Sequence, residues 1–286
     1  MKQMQYIWKT SILKILNGKT IAFAVIMLAM CWDYNRPMNR FIDAVDYPVS
    51  WCVFPFFMTR NVFLIMFWIG SIYINSDVPF MQHVNMYQVI RTGRRRWTIG
   101  QIGGIFVRSL AAVLVTVLCT ILPLLPKVAF TNEWGKLLHS AAVTDAANVY
   151  HFEYFVYYEI LGTYTPMQLM GICILLCTVI SGFMGMLLFL ISLYSNKALA
   201  VALAFALAVL LFFVENVVPN SQYQMALFVP TIWPQVAKSA TTHIGYYWMP
   251  SLPYMFVFLT VSICIMTVLI LHKMKTTEFD WENDDI

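Results

Sequence analysis

Residues 167–218 read MQLMGICILLCTVISGFMGMLLFLISL, then YSNK, then ALAVALAFALAVLLFFVENVV. Two apolar runs, 167–193 and 198–218, are separated only by Tyr194, Ser195, Asn196 and Lys197. Each run has the roughly 20 residues that an α-helix needs to cross the hydrocarbon core of a bilayer. Backbone polar groups surrounded by lipid must be satisfied within their own segment, so both runs are expected to be helices. So short a link makes them an antiparallel hairpin through the membrane. The pair decides the fold class, an all-α membrane protein.

The rest of the chain extends that pattern. Hydrophobic residues make up 60% of the sequence and charged residues 11%, against roughly 25% charged in a soluble domain. Four further apolar runs are expected to span the membrane at 20–32, 54–74, 102–125 and 251–271, giving about six transmembrane helices within 20–274. Ahead of them, residues 1–19 alternate Ile7, Trp8, Ile12, Leu13 and Leu16 with Lys2, Lys9 and Lys14. At helical spacing this is an amphipathic helix lying on the membrane surface. The first run carries no small-residue cleavage pattern and is followed by Asp33, so a cleaved signal peptide is not expected. Three loops, 33–53, 127–166 and 219–250, fall on one side of the membrane. The loop 76–101 and an acidic tail, 275–286, with Glu278, Asp280, Glu282, Asp284 and Asp285, fall on the other.

Cation placement sets the orientation. With the N-terminus inside, the cytoplasmic side carries Lys2, Lys9, Lys14, Lys19, Arg91, Arg94, Arg95, Arg96, Lys197, Lys273 and Lys275. The outside carries Arg36, Arg40, Arg60, Lys127, Lys136 and Lys238. The bias predicts an N-in/C-in protein whose two long outer loops bring Trp134, Tyr150, Phe152, Tyr154, Trp233 and Trp248 to the interface. The net charge of +4 is modest and does not point to nucleic acid. Cys31 and Cys52 flank one outer loop, where a disulfide is conceivable; a buried small hydrophobe is the plainer role. Ala198, Ala202 and Ala206, and Ser181 with Gly185, form small-residue stripes suited to helix packing.

Catalytic patterns are incomplete throughout. Gly18-Lys19-Thr20 imitates the end of a phosphate-binding loop, but Leu13 stands where its first glycine belongs. No cofactor is therefore expected in this chain, and nucleotide-driven work would fall to another polypeptide. His151-x-Glu153 lacks the cysteine pair of a zinc deaminase. His139, Asp145, His151, Glu153 and Glu159 share one outer loop, with no spacing that fixes a metal geometry, so no metal site is assigned. Arg108 and Glu215 fall at or inside span ends. Ionisable groups in a membrane are costly and often functional, whereas snorkelling to the interface is the plainer role.

The basic loop is the most informative polar segment. Asp77 can cap a helix and Pro79 suits its first turn. Phe80 follows, and then a mixed run to Ile90. Arg91, Gly93, Arg94, Arg96 and Trp97 lead into the third span, with Trp97 placed as an interfacial anchor. As a topology determinant the arginines hold the loop inside and touch anionic lipid; an ordered run from Asp77 to Ile90 fits a docking element.

At these residues, Ser76-Asp77-x-Pro79-Phe80 followed by Arg91-x-Gly93-Arg94-x-x-Trp97, the chain resembles the permease subunits of bacterial type-2 ABC transporters, the mostly exporter class. The basic amphipathic N-terminal helix, the six spans, the hairpin-like outer segment between the last two and Tyr164-Thr165-Pro166 are similar as well. The resemblance implies a coupling helix between spans two and three that fits a cleft of a separate ABC ATPase subunit. It implies ATP and Mg bound by that partner, a second permease copy or a related permease, and a place in the bacterial cell (plasma) membrane. By this resemblance the coupling role falls on Asp77, Pro79, Phe80, Arg91, Gly93, Arg94, Arg96 and Trp97. The loop 127–166 is larger than in many such permeases. Two alternatives stand beside it. One is a membrane sensor or immunity component binding a peptide or lipid-like ligand on its outer loops. The other is an intramembrane enzyme using the outer-loop His and Glu residues or Asp77.

Overall fold

The computed structural model describes residues 17–76, 90, 93–239, 241–243 and 246–276. The surface helix expected at 1–19, the loop residues 77–89, 91 and 92, and the tail beyond 276 lie outside the described residues, residue 17 onward of the first excepted. Helix dominates, with only two short strand pairs among the described residues. Among the described residues, four helices are long and apolar enough to cross a membrane. They are α4 (Arg94–Ile121), α8 (Pro166–Tyr194), α9 (Lys197–Asn216) and α11 (Leu252–Thr276). The helical hairpin of the opening stretch is therefore present as α8 and α9.

Local chemistry explains their boundaries. Thr165 Oγ1 accepts from Gln168 N while Thr165 N donates to Gln168 Oε1, a reciprocal cap that satisfies two donors at the start of α8. Pro166 occupies the first turn, where its missing N–H costs nothing. Asn196 caps α9 by accepting from Leu199 N at 2.8 Å. Helix α8 is the hub, packing against α4, α9, α11 and α3 (Asn61–Asn75).

Two expected boundaries differ. The first span, read as 20–32 with an outer loop at 33–53, is a single helix α1 (Gly18–Val45) that passes through Pro37. Its buried residues Phe23, Met27, Cys31, Asn35, Met38, Phe41 and Ile42 keep one helical face into the polar half. Two asparagines in that half find partners across the fold. Asn35 Nδ2 donates to Thr120 O (3.2 Å), and Asn39 Nδ2 to Pro123 O (3.1 Å). The second run, read as one span over 54–74, is broken into α2 (Phe54–Phe57) and the fifteen-residue α3.

The remaining parts of the first two outer loops fold together as a cap. Strands β1 (Val49–Ser50) and β2 (Val128–Ala129) pair in parallel. Between β2 and α8 lie three short helices, α5 (Gly135–Val143), α6 (Ala146–Val149) and α7 (Tyr158–Thr163). Trp134, Phe152 and Tyr154, expected at a lipid interface, are buried instead. Trp134 packs on Phe56 and donates to Tyr164 O. Phe152 meets Phe41, and Tyr154 stacks near Phe57 with its hydroxyl on Asn35 Oδ1. The aromatics are the cap's own core, because a loop of this length must bury apolar area to hold a shape. Lys127–Asp43 and Arg60–Glu153 ion pairs tie it to the helices. Cys31 and Cys52 are separate buried thiols, and burial pushes the Cys52 thiol up to about 12.

The small-residue stripe of α9 is displaced by two positions. Ala200, Ala204 and Ala208 are buried, whereas Ala198, Ala202 and Ala206 are exposed. On α8, Ser181 and Gly185 are buried as expected, and Ser181 Oγ hydrogen-bonds Ser71 Oγ of α3. A Cβ on Gly185 would lie 2.5 Å from Ile105 Cγ2 and 3.3 Å from Asn75 Cγ. Ile105 is β-branched and stiff in a helix, so it cannot swing aside. Gly185→Val should therefore cost about 2 kcal/mol through overpacking, measured by SDS-driven unfolding in mixed micelles. Ala202→Val, on the exposed stripe, should change stability by about 0.5 kcal/mol or less.

Candidate functional site

The helix ends opposite the cap converge. Lys19 Nζ on α1 donates to Ser76 Oγ at the end of α3 (3.0 Å) and lies 4.9 Å over the Tyr73 ring. Arg94 Nη1 on the first turn of α4 donates to Lys275 O on the last turn of α11 (3.2 Å). Lys273 Nζ sits 5.1 Å over the ring of Tyr194, where α8 ends. Lys197 opens α9 close by. Lys19, Arg94, Arg95, Arg96, Lys197, Lys273 and Lys275 thus share one end of the bundle.

No acidic residue among the described ones accompanies them. Asp33, Asp43, Asp46, Glu133, Asp145, Glu153, Glu159 and Glu215 all lie in the C-terminal half of α1, in the cap or at the far end of α9. Among the described residues the basic end therefore carries cations alone, whereas the cap end mixes these acids with Arg36, Arg40, Arg60, Lys127, Lys136 and Lys238.

Of the residues assigned a coupling role, Asp77, Pro79, Phe80 and Arg91 lie outside the described residues. Gly93 caps α4 with φ +82°, a left-handed geometry that glycine adopts without a Cβ clash. Arg94, Arg95 and Arg96 are exposed on the first turn, so the basic segment is not wholly a loop but begins the long helix α4. Trp97 departs from its expected interfacial place. It is 1% exposed, its backbone N–H donates to Gly93 O, and its indole fixes the start of α4 by packing inside the bundle.

Beneath this end several polar side chains are enclosed by the helices. Gln101, Arg108, Ser109, Asn75, Ser71 and Ser181 are all buried. Asn75 Nδ2 donates to Ser71 O (3.1 Å). Arg108, fourteen positions into α4, is about 21 Å along the helix from Arg94 and only 5% exposed. It is a buried guanidinium within the span rather than an end group reaching the interface.

At the cap end the residues considered for metal or catalysis are not gathered. Glu153 pairs with Arg60, Asp145 Oδ1 accepts from Asn148 Nδ2, and His139 and His151 stand on the surface. No group of three or more His, Cys, Asp or Glu capable of holding a metal occurs among the described residues.

The feature that sequence reasoning missed is the middle of 219–250. Residues 229–238, VPTIWPQVAK, are all buried. They form no α-helix and dip between helices, between α10 (Pro219–Ala226) and α11. Thr231 Oγ1 donates to Leu207 O, Trp68 Nε1 to Thr231 O, and Gln235 Nε2 to Asn61 Oδ1. Leu207 lies about 14 Å below the end of α9, and Trp68 about 10 Å below the start of α3. Irregular backbone at that depth is tolerated only where protein encloses it. Lys238 Nζ closes the segment on Glu215 Oε1 at 2.7 Å. The nearby Tyr157 phenol is pushed up to about 12, chiefly by burial and further by Glu215. The available signal was the absence of charge from 229 to 237, unusual for a solvated loop.

No family model, curated protein or solved structure matches this sequence. The membrane character of the chain rests on its own helices.

Proposed function

We propose that the chain is the transmembrane permease subunit of a bacterial type-2 ABC transporter of the exporter class, driven by a separate ATPase subunit. In this reading α1, α2 with α3, α4, α8, α9 and α11 are the six spans. The basic end faces the cytoplasm by the excess of cations there. The observation that carries the proposal is that one-sided charge: the exposed Arg94, Arg95 and Arg96 are contiguous with the segment from Asp77 and stand beside Lys19, Lys197, Lys273 and Lys275. A cationic face built from four helix ends, those of α1, α4, α9 and α11, offers a rigid platform for another protein. The buried segment 229–238 between the last two spans supports the reading too, since a hairpin-like outer segment belongs to the resemblance there. Two permeases, identical or related, would face each other around the pathway, with ATP and Mg held by the partner.

The test is assembly. The chain should co-purify with an ABC ATPase encoded beside it. Changing Arg94, Arg95 and Arg96 together to Glu should weaken that complex on the order of 100-fold. Assembly that survives deletion of 78–97 would remove the coupling assignment.

The cap supports a second reading, a sensor or immunity component. Its surface holds a groove of about 590 Å³ whose lining includes Asn132, Glu133, Lys136, His139, Tyr164 and Gln168, with polar and charged groups suited to an extended peptide. ATP-dependent flux in proteoliposomes separates the two, because a sensor alone moves nothing.

A further inference from the structure

We propose that the cleft between the first turn of α4 and the last turns of α11 binds the phosphate headgroup of an anionic phospholipid. The cleft measures about 320 Å³ and is lined by Arg94, Arg95, His272 and Lys275 and, toward the middle of α11, by Leu271 and Val268. The Arg94 bond to Lys275 O fixes the spacing of the two helices. No acidic side chain lines the cleft among the described residues.

Two properties select a lipid over a soluble anion. First, Val268 is 66% exposed and lies about 10 Å along α11 from Lys275, within a helix apolar enough to cross a membrane. The cleft therefore runs from a cationic rim onto an apolar wall that only the bilayer can reach. A headgroup phosphate at the rim would leave an acyl chain lying along Val268 and Leu271. Second, the cations come from two different helices, so the charge converges on one place rather than spreading along a surface. Guanidinium groups suit phosphate oxygens through paired N–H donors, and basic pockets between membrane helices are a recurring solution for anionic headgroups. The site rests on the membrane reading of α4 and α11 and is independent of the transport proposal.

The full chain, purified in a neutral detergent, would be titrated with short-chain phosphatidylglycerol and followed by native mass spectrometry. Phosphatidylglycerol should be retained and phosphatidylcholine should not. Arg94→Gln, Arg95→Gln and Lys275→Gln combined should weaken retention on the order of 100-fold, from roughly fivefold per cation near a headgroup. The charge-preserving set Arg94→Lys, Arg95→Lys and Lys275→Arg should retain most of it, which separates loss of charge from loss of fold. Equal retention of both lipids, or no effect of the Gln set, would overturn the site. Displacement by inorganic phosphate would make it a free-anion site and overturn the lipid assignment. So would binding seen only in a chain ending at Thr276, which would give the cleft to the acidic residues Glu278 to Asp285.

Discussion

Trp68→Ala should lower the free energy of unfolding in mixed micelles by about 3 kcal/mol, while Trp68→Phe should lower it by about 1 kcal/mol. Trp68 is fully buried on α3, touches Phe67 edge-on and donates its indole N–H to Thr231 O at 2.8 Å. Alanine removes the whole ring and leaves a cavity that the surrounding helices can only partly close. In a soluble core that change costs about 3–5 kcal/mol. The low end applies here because lipid is as apolar as the protein interior, so little transfer free energy from water is involved. Phenylalanine keeps most of the packing and removes the donor, leaving Thr231 O without it. The two variants thus separate ring packing from the hydrogen bond. A Trp68→Ala protein as stable as the parent would mean that segment 229–238 is not seated against α3.

That seat marks the limit of what sequence pattern could show. The long apolar helices were legible because length and hydrophobicity alone identify them: α8 and α9 start and end within two residues of the runs read for them. Helix α1 was truncated in the reading because hydropathy falls at Asp33, whereas the buried face continues through Asn35 and Met38 to Ile42. Its polar residues are satisfied by carbonyls of Thr120 and Pro123, distant in sequence. The break at Met58, Thr59 and Arg60 was hidden for the opposite reason. Uniform apolarity on both sides masks a turn that carries neither Gly nor Pro.

The candidate site divides in the same way. Cations at one end are legible because the positive-inside bias is additive and needs no contacts. Which of them converge is not, since Arg94 meets Lys275 only through the packing of α4 on α11. Trp97 shows the risk of assigning aromatics by position: next to an arginine run it looks interfacial, yet it is packed within the bundle. The same holds for Trp134 and Tyr154, whose partners lie on other elements.

Lys238→Met should destabilise the protein by about 3 kcal/mol, and adding Glu215→Gln should recover most of the loss. Lys238 and Glu215 expose only 9% and 23% of their side chains, so both were largely removed from water to meet. Replacing one strands the other: Glu215 Oε2 already has no hydrogen-bond partner among the described residues, and loss of Lys238 would leave Oε1 without its ammonium too. Breaking such a pair costs about 3–5 kcal/mol, whereas replacing both partners with neutral groups is often close to neutral. The pair also clamps the end of segment 229–238 to α9. In Lys238→Met, a cysteine placed at Ala237, buried in the parent, should become reactive to a membrane-impermeant maleimide, and Glu215→Gln should restore its protection. A double variant as unstable as Lys238→Met alone would show that the lysine acts through its stem packing and its contact with the Trp248 ring, and not through its charge.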